Sequence, residues 1–190
     1  MGSILPKEVN KALSSRIIGV NRCILMPIAI ENYIDVKERA LELECCIPNE
    51  LSFLPWNFDT AKSKSELVYE SSVQEIRILF REAEIVVTEL EKQGDKRLYK
   101  QDKHFDWIGP TIFISASFLS QNPHIISITE GIISNYLTEL FKGRFYSKNI
   151  ELTYILERTK DREIIKFTYK GDLAGLDKLP EIIHERLDNE

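Results

Sequence analysis

The sequence predicts an α+β protein with a mixed β-sheet and packed helices. Apolar residues recur at helical spacing in residues 65–81 and again from Asn122-Pro123 to Gly143. Residues 149–159 and 163–170 alternate apolar and polar side chains around a short turn, which is typical of a β-hairpin with one wet face. The composition, 43% hydrophobic and 29% charged, is that of an ordinary folded protein of 190 residues.

The first elements are short. Residues 22–30 are apolar and β-branched around Pro27, which predicts an edge or bulged strand, and residues 16–20 could pair with it. Residues 36–46 fit either a short helix or an alternating strand. Of these two we favour a strand at 41–47.

The next segment predicts a helix and a hairpin. Ser65 can cap a helix that ends near Arg81. Residues 84–90 contain Ile, Val, Val and Thr in a row, which favours a strand, and Gln93-Gly94-Asp95 supplies a turn into residues 96–101. The alternative is that the helix continues to Glu91.

The charged segment 92–103 is the best candidate for a domain boundary. It divides the chain into an N-terminal α/β unit, 1–100, and a C-terminal helix–β-hairpin–helix unit, 101–190. The closing helix covers 173–187 and is interrupted near its start by Pro180. One continuous domain is also compatible with this length.

Charge and hydropathy argue against two classes of partner. The net charge is −5 with a pI near 5.4 and no long run of Lys or Arg, so nucleic acid is disfavoured. Residues 107–129 contain no Asp, Glu, Lys or Arg. Gly109-Pro110 and Gln121-Asn122-Pro123 nevertheless interrupt this apolar segment. They predict two buried elements joined by a turn, and membrane association through residues 107–129 is kept as a third, less favoured hypothesis.

The cysteines and the start of the chain predict a soluble, cytoplasmic protein. Cys23, Cys45 and Cys46 are an odd number with two adjacent, which is not a disulfide framework. Residues 1–10 carry no apolar run of the kind that a secretory signal needs. A reducing cytosol is therefore the expected compartment.

The motifs of common enzymes are missing, so we expect no cofactor and no metal. The three histidines are well separated, and there is no Cys-x-x-Cys pair, glycine-rich phosphate loop or GxSxG elbow. One cluster could still do acid–base work, since Asp102 and Asp106 flank His104 in sequence. An unfamiliar active site would need Asp59, His104 and Asp106 to converge.

Apolar and aromatic side chains indicate a partner-binding surface. The second helix carries two apolar stripes, more than a small unit needs to cover its core. Large rings anchor interfaces, although they serve cores equally well. The candidate partner-binding residues are Ile125, Ile128, Ile132, Tyr136, Trp56 and Trp107. On the same helix, burial of Glu130 would raise its pKa and make it a proton carrier or ion-pair partner.

The C-terminal part is predicted to contain an apolar helix, a β-hairpin and an amphipathic helix, in that order. Its most distinctive residues are Ser127 to Leu137, the strand 150–156, and Phe167-Thr168-Tyr169-Lys170-Gly171-Asp172 followed by Gly175-Leu176. In these residues it resembles adaptor components of bacterial conflict and antiphage systems. The resemblance covers under half of the chain. It implies a role in protein interaction, with self-association coupling a sensor to an effector.

These observations lead to two hypotheses. The first is a non-enzymatic interaction module, or adaptor, that self-associates or docks a protein partner through Ile125–Phe141. The second is an enzyme with an unfamiliar site around Asp59, His104 and Asp106.

Overall fold

A five-stranded mixed sheet organises the protein, in the strand order β1-β7-β6-β5-β2. The computed structural model describes residues 28–92, 94–100, 106–143, 149–158 and 163–188. The strands of this sheet are β1 (Ile28–Asn32), β2 (Leu51–Leu54), β5 (Trp107–Ile114), β6 (Ile150–Glu157) and β7 (Ile164–Gly171). Only β5 and β6 are parallel; the other three neighbouring pairs are antiparallel. Two shorter strands, β3 (Val68–Tyr69) and β4 (Leu98–Tyr99), pair separately and in parallel.

Helices cover one face of the sheet, called here the helical face. These helices are α2 (Val73–Glu82), α4 (Ile125–Phe141), α5 (Leu173–Leu176) and α6 (Leu179–Asp188), and α3 (Ala116–Gln121) leads into α4. The opposite face, the loop face, is partly covered by α1 (Val36–Glu42) and the irregular segment 55–67. The α+β class expected from the sequence is therefore confirmed.

Helix α4 is apolar on most sides because it crosses above the sheet between other helices. It begins after Asn122-Pro123 as predicted and ends before Gly143, whose φ of 74° suits glycine. Ile126, Ile133 and Leu137 are fully buried in the core of the helical face. The apolar stripes are thus used mainly inside the protein.

The predicted hairpin is also confirmed. Strands β6 and β7 are antiparallel, with Glu157 opposite Ile164 and Ile150 opposite Gly171. Alternation places Leu152, Tyr154 and Leu156 on the helical face. The closing helix is split into α5 and α6, with Pro180 in the first turn of α6, where a missing N–H costs little.

Three local predictions are wrong. Residues 41–47 are not a strand, because Asp35 caps α1 by accepting hydrogen bonds from the backbone N–H groups of Lys37 and Glu38. Ser65 lies in a 3₁₀ turn and the helix starts only at Val73. Residues 84–90 form neither a strand nor a continued helix; they run along the sheet, and Thr88 donates its N–H to the carbonyl of Leu51.

The boundary proposed near residue 100 crosses a shared sheet. Strand β1 pairs with β7 and β2 pairs with β5, so the two parts of the chain contribute to the same hydrogen-bonded ladder. The core of the helical face likewise joins residues from Leu51 to Ile183. The predicted strand 16–20 and most of 22–30 lie outside the described residues; Ile28–Asn32 is the part that is seen.

A partly buried ion network fixes the segment beyond α2. The Tyr69 hydroxyl donates to Glu91 at 2.6 Å, and Arg97 Nε donates to the same carboxylate at 3.0 Å. Arg97 also bonds Glu89 at 2.7 Å, which in turn pairs with Arg77. Burial and the Glu91 charge raise the pKa of Tyr69. This network takes the place of the hairpin expected from the sequence.

We expect Arg97→Met to destabilise the protein by about 2 kcal/mol, because the buried Glu91 carboxylate loses its cationic partner. Chemical denaturation monitored by circular dichroism measures this. Arg81→Met, a matched change at an exposed arginine of α2, should shift stability by less than about 0.5 kcal/mol. Equal stability of the two variants would contradict a structural role for the network.

Candidate functional site

Part of the loop face is not covered by any described segment of the chain, and a row of small side chains forms its floor. Thr111 on β5, Thr153 on β6, Thr168 on β7 and Ala29 on β1 stand side by side in register. With strands about 4.8 Å apart, the row spans about 14 Å across four strands. The depression above it, named here the threonine trough after Thr111, Thr153 and Thr168, encloses about 400 Å³.

Three lysine–glutamate ion pairs surround this floor. The pairs, with their Nζ–O distances, are Lys166–Glu31 at 2.7 Å, Lys170–Glu151 at 3.1 Å and Lys100–Glu70 at 3.4 Å. The first two pairs lie on opposite sides of the threonine row. Each is two residues along the strands from the row, which is the next position on the same face. The formal charges of the six groups cancel. The walls therefore offer both donors and acceptors without a net charge.

An aromatic ring lies at the β2 end of the trough. Trp56 is 52% exposed, and its backbone N–H donates to the carbonyl of Val68, which anchors the loop. Lys100 Nζ lies 5.4 Å from the ring centroid, within the range of a cation–π contact. A flat apolar surface thus borders a polar floor.

Gly109 allows a close approach to Trp107 and to the backbone of β6 beside the trough. The pairing of β5 with β6 shifts between Ile108 and Thr111, so the strand is irregular there. A Cβ on Gly109 would lie 2.6 Å from a ring atom of Trp107 and 3.0 Å from the backbone oxygen of Glu151. Glycine is required at this close approach, and no side chain projects from this position.

The outer edge of β1 borders the trough at its other end. The Tyr33 N–H donates to the carbonyl of Ile164, which fixes the ladder alternation. The backbone groups of residues 29 and 31 therefore point toward β7, and those of Ile28, Ile30 and Asn32 point away from it. Ile30 is 43% exposed, and β1 is the last of the sheet's strands within the described residues.

The six candidate partner-binding residues do not form one surface. Ile125 is 5% exposed and belongs to the core, so its assignment to a partner surface is wrong. Ile132 and Tyr136 are half-buried against that core, and Ile128 is 50% exposed. Trp107 stacks against Tyr136, with centroids 6.4 Å apart, on the helical face. Trp56 lies on the other side of the sheet.

The proposed catalytic cluster does not assemble among the described residues. Asp59 is exposed and lies near Tyr33, beside the end of β6. Burial, and next the negative charge of Asp59, raise the pKa of Tyr33. Asp106 lies at the start of β5 and borders a separate hollow with Asn149 and Ile150. The length of the strands separates these two ends. His104 lies outside the described residues.

Two further classes of site receive no support in the described part of the chain. No group of three or more His, Cys, Asp or Glu side chains there could hold a metal ion. Within the same ranges, no helix has both the length and the apolar character that crossing a bilayer requires.

Glu130 is a buried acid without a counter-charge in direct contact. The residue is 6% exposed, and its Oε1 has no hydrogen-bond partner in the described ranges. Burial, and next the negative charge of Asp177, raise its pKa to about 7. The group lies in the core of the helical face near the Tyr154 hydroxyl, remote from the trough.

The chain has no match among family models, curated proteins or solved structures. The site is therefore described by its own geometry alone.

Sequence reasoning identified Trp56 but missed the threonine row. The row joins residues that lie up to 139 positions apart, and only the strand register brings them together. A local signal did exist in the hairpin, where Thr153 and Thr168 occupy the polar positions of two alternating strands.

Glu130→Gln should stabilise the protein increasingly as the pH rises from 5 to 8. The unfolded Glu130 titrates near 4.5 and the folded group near 7, so wild-type stability falls over that interval and stays lower above it. The difference between pKa values of 4.5 and about 7 corresponds to an expected gain of about 3 kcal/mol for the variant at pH 8. Denaturation midpoints measured across this range test it.

Glu139→Gln is the matched control, since Glu139 is exposed on the same helix. Its effect should be small and nearly independent of pH. A Glu130→Gln variant whose stability tracks that of wild type at every pH would show that the carboxyl is not desolvated.

Proposed function

We propose that this chain is a non-enzymatic interaction module of the adaptor type that acts by self-association through the edge of β1. The observation that carries the proposal is the row of outward backbone groups at Ile28, Ile30 and Asn32, on a strand that is terminal among the described strands of the sheet. Unpaired strand edges are templates for pairing with another chain.

The edge of β1 is complementary to itself. Two copies related by a twofold axis at Ile30 can run antiparallel, since a C₂ contact uses the same patch on both chains. Ile30 then exchanges two backbone hydrogen bonds with Ile30 of the other copy. On one side of the axis Ile28 exchanges two with Asn32 of the other copy, and on the other side Asn32 exchanges two with its Ile28. Six hydrogen bonds join the sheets into one of ten strands.

Side-chain chemistry supports the same arrangement. Ile30 points to the helical face, opposite Phe167, and leaves 43% of its surface exposed. Its copy across the axis would cover it. On the loop face, Ala29 would lie opposite Glu31, which already pairs with Lys166 at 2.7 Å. No unpaired like charges are brought together.

The contact is small, and this sets its strength. One strand edge buries less than the ~1,600 Å² of a standard interface, so we expect a reversible dimer that dissociates on dilution. Reversible self-association is what the resemblance to antiphage adaptors implies for the chain. As part of this proposal we place it in the cytoplasm, where the free thiols of Cys45 and Cys46 would stay reduced.

An enzymatic function has less support. It depended on Asp59, His104 and Asp106 meeting, and the first and last lie toward opposite ends of the sheet. Docking through α4 is also weakened, because Ile128 is its one strongly exposed isoleucine.

Light scattering coupled to size exclusion should show a dimer for wild type at high protein concentration and a monomer for Ile30→Pro. Proline is tolerated on an edge strand where the N–H faces outward, so the variant keeps its ladder with β7 and loses only the contact between copies. Ile30→Lys should dissociate the dimer as well, by placing two cations at the axis.

Ile128→Lys is the matched control, with the same substitution at an isoleucine of similar exposure. It should leave the dimer intact. Dissociation by Ile128→Lys and not by the Ile30 variants would move the interface to α4, and a wild-type monomer at every concentration would refute self-association. Circular dichroism confirms that each variant is folded.

A further inference from the structure

We infer that the threonine trough is a binding site for an uncharged ligand that carries several hydroxyl groups, of which a sugar ring is the simplest example. This inference concerns one chain and does not rest on self-association.

The floor contains hydroxyl groups that are not used inside the protein. Thr153 is 9% exposed and lines the trough. Its hydroxyl oxygen is not one of the fully buried side-chain atoms that lack a partner, so it opens on the trough, and no described residue is seen to hydrogen-bond it. The hydroxyls of Thr111 and Thr168, beside it in the same row, likewise have no partner in the part of the chain that is described.

The polar surface occupies only part of the loop face. The rest of the loop face carries Phe113, Ile155 and Ile164, which pack under α1 and the segment 55–67. At the trough, the same strands change to threonine, lysine and glutamate. An apolar helix or a lipid would leave these groups desolvated and unpaired, so neither fits this floor.

The charge balance excludes a phosphate-type ligand. Each of the three lysines around the trough already contacts a glutamate, at 2.7 to 3.4 Å. An anion would have to separate such a pair and lie beside its carboxylate. A neutral hydroxyl group can instead accept from the ammonium and donate to the carboxylate of the same pair, which adds charge-assisted hydrogen bonds without repulsion.

The spacing of the floor disfavours an extended peptide. The hydroxyls repeat every 4.8 Å or so across the strands, whereas an extended chain presents its backbone groups to one side about every 6.8 Å. The backbone groups of the sheet beneath are used in its own ladders. A ligand with closely spaced hydroxyls matches the row better.

Trp56 provides the apolar part of the site. Aromatic rings offer a large flat surface at small entropic cost. Lys100 and Glu70, which line the trough beside this ring, would orient a ligand that stacks on it. The volume of about 400 Å³ falls within the range of small-ligand pockets, roughly 300 to 1,000 Å³. Trp56 and Thr153 are therefore the two residues on which binding should depend most.

Calorimetric titration of the full chain tests the inference with defined probes. The probes are neutral hexasaccharides of glucose, mannose and N-acetylglucosamine, then adenosine, and finally ATP as an anionic comparison. We expect saturable binding of at least one neutral probe. Binding of adenosine alone would also support the site, and it would indicate that the adenine base stacks on the Trp56 ring. Failure of every neutral probe, or tighter binding of ATP than of adenosine, would overturn the inference.

Two substitutions connect the binding to the trough. Thr153→Val removes the hydroxyl at nearly constant volume and should weaken the bound probe about tenfold, and Trp56→Ala should weaken it at least as much. Thr138→Val, a matched change on α4 at a hydroxyl that donates to Ser134, should have no effect. Unchanged affinity in Thr153→Val would overturn the site.

The same titration in the Ile30→Pro background separates this site from self-association. Equal affinity in that variant shows that one chain contains the whole site, as inferred. Loss of binding there, with Thr153 and Trp56 intact, would contradict a site within one chain and would require a residue from a second copy.

Discussion

The parallel pairing of β5 with β6 is the constraint on which the rest of the structure depends. Parallel neighbours cannot be joined by a tight turn and need a crossover connection. Helices α3 and α4 lie in that connection, and α4 packs across the helical face as a result. Because the apolar stripes of α4 pack against the sheet, Ile128 is its one strongly exposed isoleucine.

The two faces of the sheet then differ in what they can do. The helical face is closed by four helices and holds the buried Glu130. The loop face is closed only where Phe113, Ile155 and Ile164 meet α1 and its neighbouring loop. The open remainder carries the threonine trough, and the terminal position of β1 leaves one edge for another chain. Ligand and copy would thus occupy adjoining but separate parts of the protein.

Sequence patterns predicted the parts of the fold that depend on near neighbours. The periodicity of Ile125–Phe141 and the alternation of the β6–β7 hairpin are both local. The strand expected at 84–90 was wrong because Ile85 and Val87 pack as partly buried covers of the core, which β-propensity alone cannot distinguish from a strand. The threonine row escaped prediction because it exists only through register. Trp56 was predicted as a binding residue from its aromatic side chain alone, and the trough beside it was not predicted.

The pairing of β1 with β7 has a consequence for biosynthesis. Residues 28–32 find their partners at 165–169, and the central strand β6 begins only at Ile150. Of the five strands, only β2 and β5 can pair while the ribosome is still producing the first 149 residues. Most of the sheet can therefore form only after residue 171 has been made. Until then β1 is paired with none of the other described strands, and such an edge favours premature contacts between neighbouring chains on a polysome.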